Sequence, residues 1–109
     1  MNKLVVKNII DKADTSGVIT STPFSLAYFT NFALQLILTG TPSGTIVIQT
    51  SNEGVVWDEV LDSSLVVDGY TSFTFQVNEV NSKQMRVQFI PTNGNPSIGT
   101  LTVSISAKG

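Results

Sequence analysis

The side chains that carry most enzyme chemistry near neutral pH are missing from this chain: among its 109 residues there is no His and no Cys. A nucleophilic serine would therefore need a lysine as its base, drawn from Lys3, Lys7 and Lys12 near the N-terminus or from Lys83 and Lys108. Their placement gives such a hydrolase little support. The carboxylates are more suggestive, because Glu53, Asp58, Glu59, Asp62 and Asp68 gather in the stretch around Trp57. Two carboxylates flanking a scissile bond are the equipment of a glycosidase, and a fuller set of about six to eight oxygens would hold calcium. No EF-hand spacing is present. Since a fold plus acidic residues rarely makes a site, the plainer reading is a solvated cluster of loop carboxylates at a sheet end. The expectation is a protein that is no enzyme, with no catalytic residue, no cofactor and no metal.

Trp57 beside Asp58 raises a different chemistry. An aromatic face next to carboxylates and amides can stack on a sugar ring, which makes Trp57 and Asp58 candidate ligand contacts and a carbohydrate-binding or adhesion module the alternative function. Against it, Trp57 sits among Val55, Val56, Val60 and Leu61, where a lone Trp serves more often as a packing anchor. Tyr28, Phe29 and Tyr70 fall near expected strand ends, suited either to covering the rim of the core or to facing a partner.

The elements that must position these residues are strands. Phe32, Leu34, Leu36 and Leu38 alternate with Ala33, Gln35, Ile37 and Thr39, and a period of two marks a strand with one buried face. The same alternation runs through Ser72–Val77, Gln84–Ile90 and Thr100–Ala107. Further strands are expected at Lys3–Ile10, Val18–Thr20, Thr45–Thr50 and Val55–Leu61. Turn formers separate them at Asp14–Gly17, Gly40–Gly44, Ser51–Gly54, Asp62–Ser64, Asp68–Gly69 and Pro91–Pro96. Pro23 breaks the strand before Phe24, and Asn78–Lys83 has room for a helical turn. The Gly40–Gly44 reversal predicts an antiparallel hairpin of Asn31–Thr39 with Thr45–Thr50. The fold class is all-β: a single domain over residues 1–109, a β-sandwich of seven to eight antiparallel strands with jelly-roll or Greek-key topology. Leu34, Leu36, Ile48, Phe75, Val87 and Val103 are expected to share its core.

Charge narrows the partners. Six basic and eight acidic residues give a net charge of −2, which is no electrostatic footprint for nucleic acid, and no apolar stretch is long enough to span a bilayer. Lys7 and Asp11 interrupt the N-terminal apolar run before a signal peptide is complete. Neither nucleic acid nor membrane is expected as a partner, and synthesis is expected in the cytoplasm.

Only 13% of the residues are charged, and several strands place apolar residues on the nominally wet face. If the alternation is read as above, Ile37, Val47 and Ile90 point outward, bordered by Gln35, Gln49 and Gln88. These six residues are the candidate interface, since apolar outer positions with little charge between them merge into the kind of patch that marks a protein contact.

The run from Thr45 to Trp57, with Gln49, Ser51, Asn52, Gly54 and Trp57 at its fixed points, resembles a Q-x-S-N-D-G-x-x-W pattern of small tailed-phage virion proteins. It has Glu53 where Asp is usual. Arg86–Phe89 is similar to the R-V-x-F/Y strand of those proteins, and Gly99–Gly109 to their G-T-L-x-V-x-I-S-A/G-K-G ending. Residues 1–30 lie outside the resemblance. It implies a β-sandwich structural component of a phage virion, such as a capsid decoration, head-fibre or tail accessory protein. Such a component is made in the host cytoplasm and resident in the virion. Its partners would be copies of itself, as a homo-oligomer such as a trimer, and other virion proteins.

Overall fold

The computed structural model describes residues 4–27, 29–60, 65–68, 71–77, 80, 82–94 and 97–109. Ten strands follow one another: β1 (Leu4–Asp14), β2 (Ile19–Thr20), β3 (Phe24–Ser25), β4 (Asn31–Thr41), β5 (Ser43–Ser51), β6 (Asp58–Glu59), β7 (Leu65–Asp68), β8 (Thr71–Val77), β9 (Gln84–Pro91) and β10 (Ile98–Lys108). One sheet has the order β1-β10-β4-β8. In the other, β9 and β5 form the centre, β2 and β3 flank β9, and β6 and β7 flank β5. All of these pairings are antiparallel. Counting β2 with β3 and β6 with β7 as single interrupted strands turns the ten elements into eight positions, four per sheet, in the order of a jelly roll.

Alternation builds the core. Leu34, Leu36 and Leu38 of β4 and Leu101, Val103 and Ile105 of β10 project from one sheet. They meet Ile46 and Ile48 of β5 and Met85, Val87 and Phe89 of β9, and each of these residues is at most 2% exposed. The cross-strand pairs Leu36–Val103 and Ile48–Val87 hold the centre of each sheet in register. Of the six residues expected to share the core, five are buried in it, and Phe75 packs against it partly buried.

Three expectations change. Asn31–Thr39 and Thr45–Thr50 do not form a hairpin: β4 pairs with β10 and β8, while β5 pairs with β9, β6 and β7 in the opposite sheet. The chain crosses between sheets at residues 40–43. Gly40 (φ 80°) stands opposite Gly99 (φ 151°) at this corner. A Cβ on Gly40 would come within 2.6 Å of the Ile98 carbonyl oxygen, so two glycines let the backbones close where the strand bends away. The Ser43 N–H then donates to Ser97 Oγ at 3.0 Å.

The second change concerns Val55–Leu61, where among the described residues, 55–60, only Asp58–Glu59 pairs as strand. The turn at Ser51 swings the chain off β5 and leaves Val55 80% and Val56 69% exposed, without the cross-strand neighbours that give β-branched residues their preference for sheet. The third is β7, a strand at Leu65–Asp68 that takes up the near end of β5. The bends at Asp62–Ser64 and Gly69, together with Tyr28 and Tyr70, lie outside the described residues. So do residues 78, 79 and 81 of the helical turn expected at 78–83, and the described residues 80, 82 and 83 are not helical.

Candidate interaction surfaces

The outer face of the β9–β5 sheet is a ladder of rows. Glu59, Gln49 and Arg86 form one row, Val47, Gln88 and Thr20 the next, and Val66, Thr45 and Ile90 the third. In the first row Arg86 Nε donates to Gln49 Oε1 at 2.7 Å, and the guanidinium lies over the Trp57 ring, 4.4 Å from its centroid. In the second, Gln88 Nε2 donates to Thr20 Oγ1 at 3.2 Å. The third row is the most apolar, with Val66 76% and Ile90 43% exposed. Val47 sits diagonally from Ile90, within reach on the same face.

The outer face of the other sheet differs in texture. Its rows run Val6, Ser106, Ala33, Gln76, then Asn8, Ser104, Gln35, Thr74, then Thr102, Ile37, Ser72. None of these side chains is charged. Hydroxyls and amides dominate, with Ile37 37% exposed among them.

The six candidate interface residues therefore divide. Val47, Ile90, Gln49 and Gln88 share one outer face; Ile37 and Gln35 share the other. A single patch joining Ile37 to Val47 and Ile90 is ruled out by the core between the sheets. Val66 completes the Val47–Ile90 cluster, and the sequence carried no alternation to announce it, because Leu65, Val66 and Val67 are apolar in succession.

Trp57 is half-buried, and one face of its ring is taken by Arg86 rather than left open for a sugar. Asp58 and Glu59 are both exposed but alternate across β6. Glu59 lies in the Gln49–Arg86 row and Asp58 pairs with Thr50, lining a hollow with Ser51, Asn52 and Glu53. Strand alternation thus turns Asp58 and Glu59 to opposite faces, so these two do not converge as a glycosidase pair would, while Glu53 shares the hollow with Asp58. Glu53 stands in the turn that Ser51 organises: Ser51 Oγ accepts from the Gly54 N–H at 2.8 Å and from the Glu53 N–H at 3.3 Å. Asp62 and the Asp68 side chain lie outside the described residues. Among the described residues, no three His, Cys, Asp or Glu side chains come together as metal ligands would. An apolar cavity of about 170 Å³ opens between the sheets, lined by Leu26, Phe32, Val60, Val77 and Val80 with two hydroxyl residues, Thr50 and Ser82. Among the described residues that line it there is no acid or base.

No protein-family model and no curated protein sequence matches the chain. Solved structures do match its fold. The SPBc2 prophage-derived protein YomS superposes with a TM-score of 0.70 at 10% identity, covering 100% of this chain and 96% of YomS. The PBSX exported protein XepA gives 0.70 at 13% identity over 94% of this chain, which spans only 36% of XepA. A subunit of the Bacillus endospore appendages, a family of disulfide-linked pili, gives 0.59 at 15% identity, covering 99% of this chain and 88% of that one. The likeness to small phage-derived β proteins that the Thr45–Trp57 run suggested is thus met at the level of fold.

Proposed function

We propose that this chain is a non-enzymatic structural component of a phage virion, acting by presenting its sheet faces to other proteins. The observation that carries this reading is the pair of outer faces just described. One is uncharged across three rows, and the other carries a Val47–Ile90–Val66 cluster. Ser, Thr and Gln at outer positions hydrogen-bond to a partner without the cost of burying charge, and exposed apolar clusters mark contacts. The match to YomS over nearly the full length of both chains supports it, as does the use of a related fold in pilus subunits. Within the particle, the station we favour is capsid decoration, head fibre or tail accessory, with copies of itself and neighbouring virion proteins as partners.

The test is fractionation. Phage particles from cells carrying the gene are banded in a density gradient and the band analysed for the chain by mass spectrometry. A fixed copy ratio to the major capsid or tail protein is expected; recovery only in the soluble fraction contradicts the proposal.

A further inference from the structure

A sandwich of two open sheets has four edges, and three of them carry features that discourage pairing with another strand. On β1 the register shifts twice, between Asn8 and Ile10 and between Ile10 and Ala13, and Lys12 adopts φ 50°. Lys7 lies opposite the buried Ile105 yet is itself exposed, so a charge sits on the inward side of that edge. Bulges and inward charges are how natural sheets protect an edge. The β2/β3 edge consists of two-residue strands separated by Pro23, and β6 is two residues long, both acidic. β7 is four residues long and ends in Asp68.

β8 has none of these protections. Its seven residues, Thr71–Val77, contain no charge, no proline and no glycine. They pair with β4 without a break, from Leu38–Thr71 to Phe32–Val77, and no described residue pairs with the other edge. The sequence is also nearly palindromic about Thr74. Antiparallel pairing of two copies centred there sets Thr74 against Thr74, Phe73 against Phe75 and Ser72 against Gln76. Threonine and aromatic cross-strand pairs are favourable combinations, and no position brings like charges together.

We propose that the free edge of β8 pairs antiparallel with β8 of a second copy of this chain, about a twofold axis at Thr74. The four-stranded sheet becomes a continuous eight-stranded one, and the outer faces holding Gln35 and Ile37, uncharged across their three central rows, join into a single surface. Unlike the pilus subunits of similar fold, this chain has no cysteine, so the link is one of backbone hydrogen bonds and side-chain packing. The pairing concerns the chain alone and stands apart from its assignment to a particle.

Sedimentation of the purified chain over a wide concentration range tests it. A concentration-dependent dimer is expected. Thr74→Lys, which puts two ammonium groups face to face on the axis while leaving an exposed outer position of the fold, is expected to weaken dimerisation by at least about tenfold. Asn8→Lys, the same change on the β1 edge, is expected to leave it unaltered. Because no other cysteine is present, Thr74→Cys is expected to give a disulfide-linked dimer under mild oxidation. A wild type that stays monomeric at the highest concentration overturns the proposal. So does a dimer insensitive to Thr74→Lys while thermal unfolding shows that the variant is folded.

Discussion

Arg86 lies with its guanidinium 4.4 Å from the centroid of the Trp57 ring while its Nε donates to Gln49. A residue of the central strand β9 thus pins a loop tryptophan to the outer face of the β9–β5 sheet. Arg86→Ala is expected to cost about 1 to 2 kcal/mol from the lost cation–π contact and charge-assisted hydrogen bond. As Trp57 is the only tryptophan, its emission should shift to the red in that variant. An unchanged spectrum would mean that Arg86 does not cover the ring in solution.

Leu36→Ala removes a side chain that is 2% exposed and stands opposite Val103 at the centre of the β4–β10 pair. The expected loss is about 2 to 5 kcal/mol in denaturant unfolding, from lost transfer energy plus the cavity left behind. A loss below about 0.5 kcal/mol, the size of an ordinary surface change, would place the residue outside the core.

The core was legible because a two-residue period needs no tertiary information: in Phe32–Leu38, Gln84–Ile90 and Thr100–Ala107 the buried residues are the alternate ones. The sheet assignment of β4 and β5 was not. Gly40–Gly44 has the composition of a tight reversal, yet the partner of Gly40 is Gly99, far along the chain, and no local pattern reports that close approach. For the same reason the outward-facing character of Ile37, Val47 and Ile90 was readable, but their division between opposite faces was not. Val55 and Val56 misled because strand propensity expresses packing against neighbours, and the Ser51 turn removes those neighbours.

Gly54 has φ 78° in that turn, a region costly for a β-branched residue. Gly54→Val is expected to destabilise by about 1 to 3 kcal/mol. Space matters less than strain here, since an added Cβ would meet the end of the flexible Gln84 side chain at 3.1 Å. Equal thermal stability of Gly54→Val and wild type would contradict the left-handed conformation.

The carboxylate of Asp14 accepts a hydrogen bond from the Ser16 N–H at 2.9 Å in the turn after β1, and this bond holds its pKa below the usual aspartate range. A pKa depressed by folding contributes stability that is present above the unfolded-state value and is lost as pH falls through the folded-state value. The stability difference between wild type and Asp14→Ala should therefore be small but present at neutral pH and should shrink in acid below the ordinary aspartate range. A difference that grows on acidification would reverse the sign of this coupling.

The two outer faces can be tested separately because they lie on opposite sheets. Val47→Lys with Ile90→Lys charges one face, and Ile37→Lys charges the other, with no core residue touched. A lysine desolvated at a contact without a counter-charge is strongly unfavourable, so at least one of these variants should fold yet fail to join the particle. Normal incorporation of both would remove the sheet faces from the list of contacts.

Imaging the purified particle to a resolution at which strands separate tests the central claim most directly. The account predicts density for a two-sheet body of 46 × 26 × 21 Å, repeated on the particle and seated against its neighbours through one of the outer sheet faces. Particles that lack such a body at every station, together with its absence from their protein content, would contradict it.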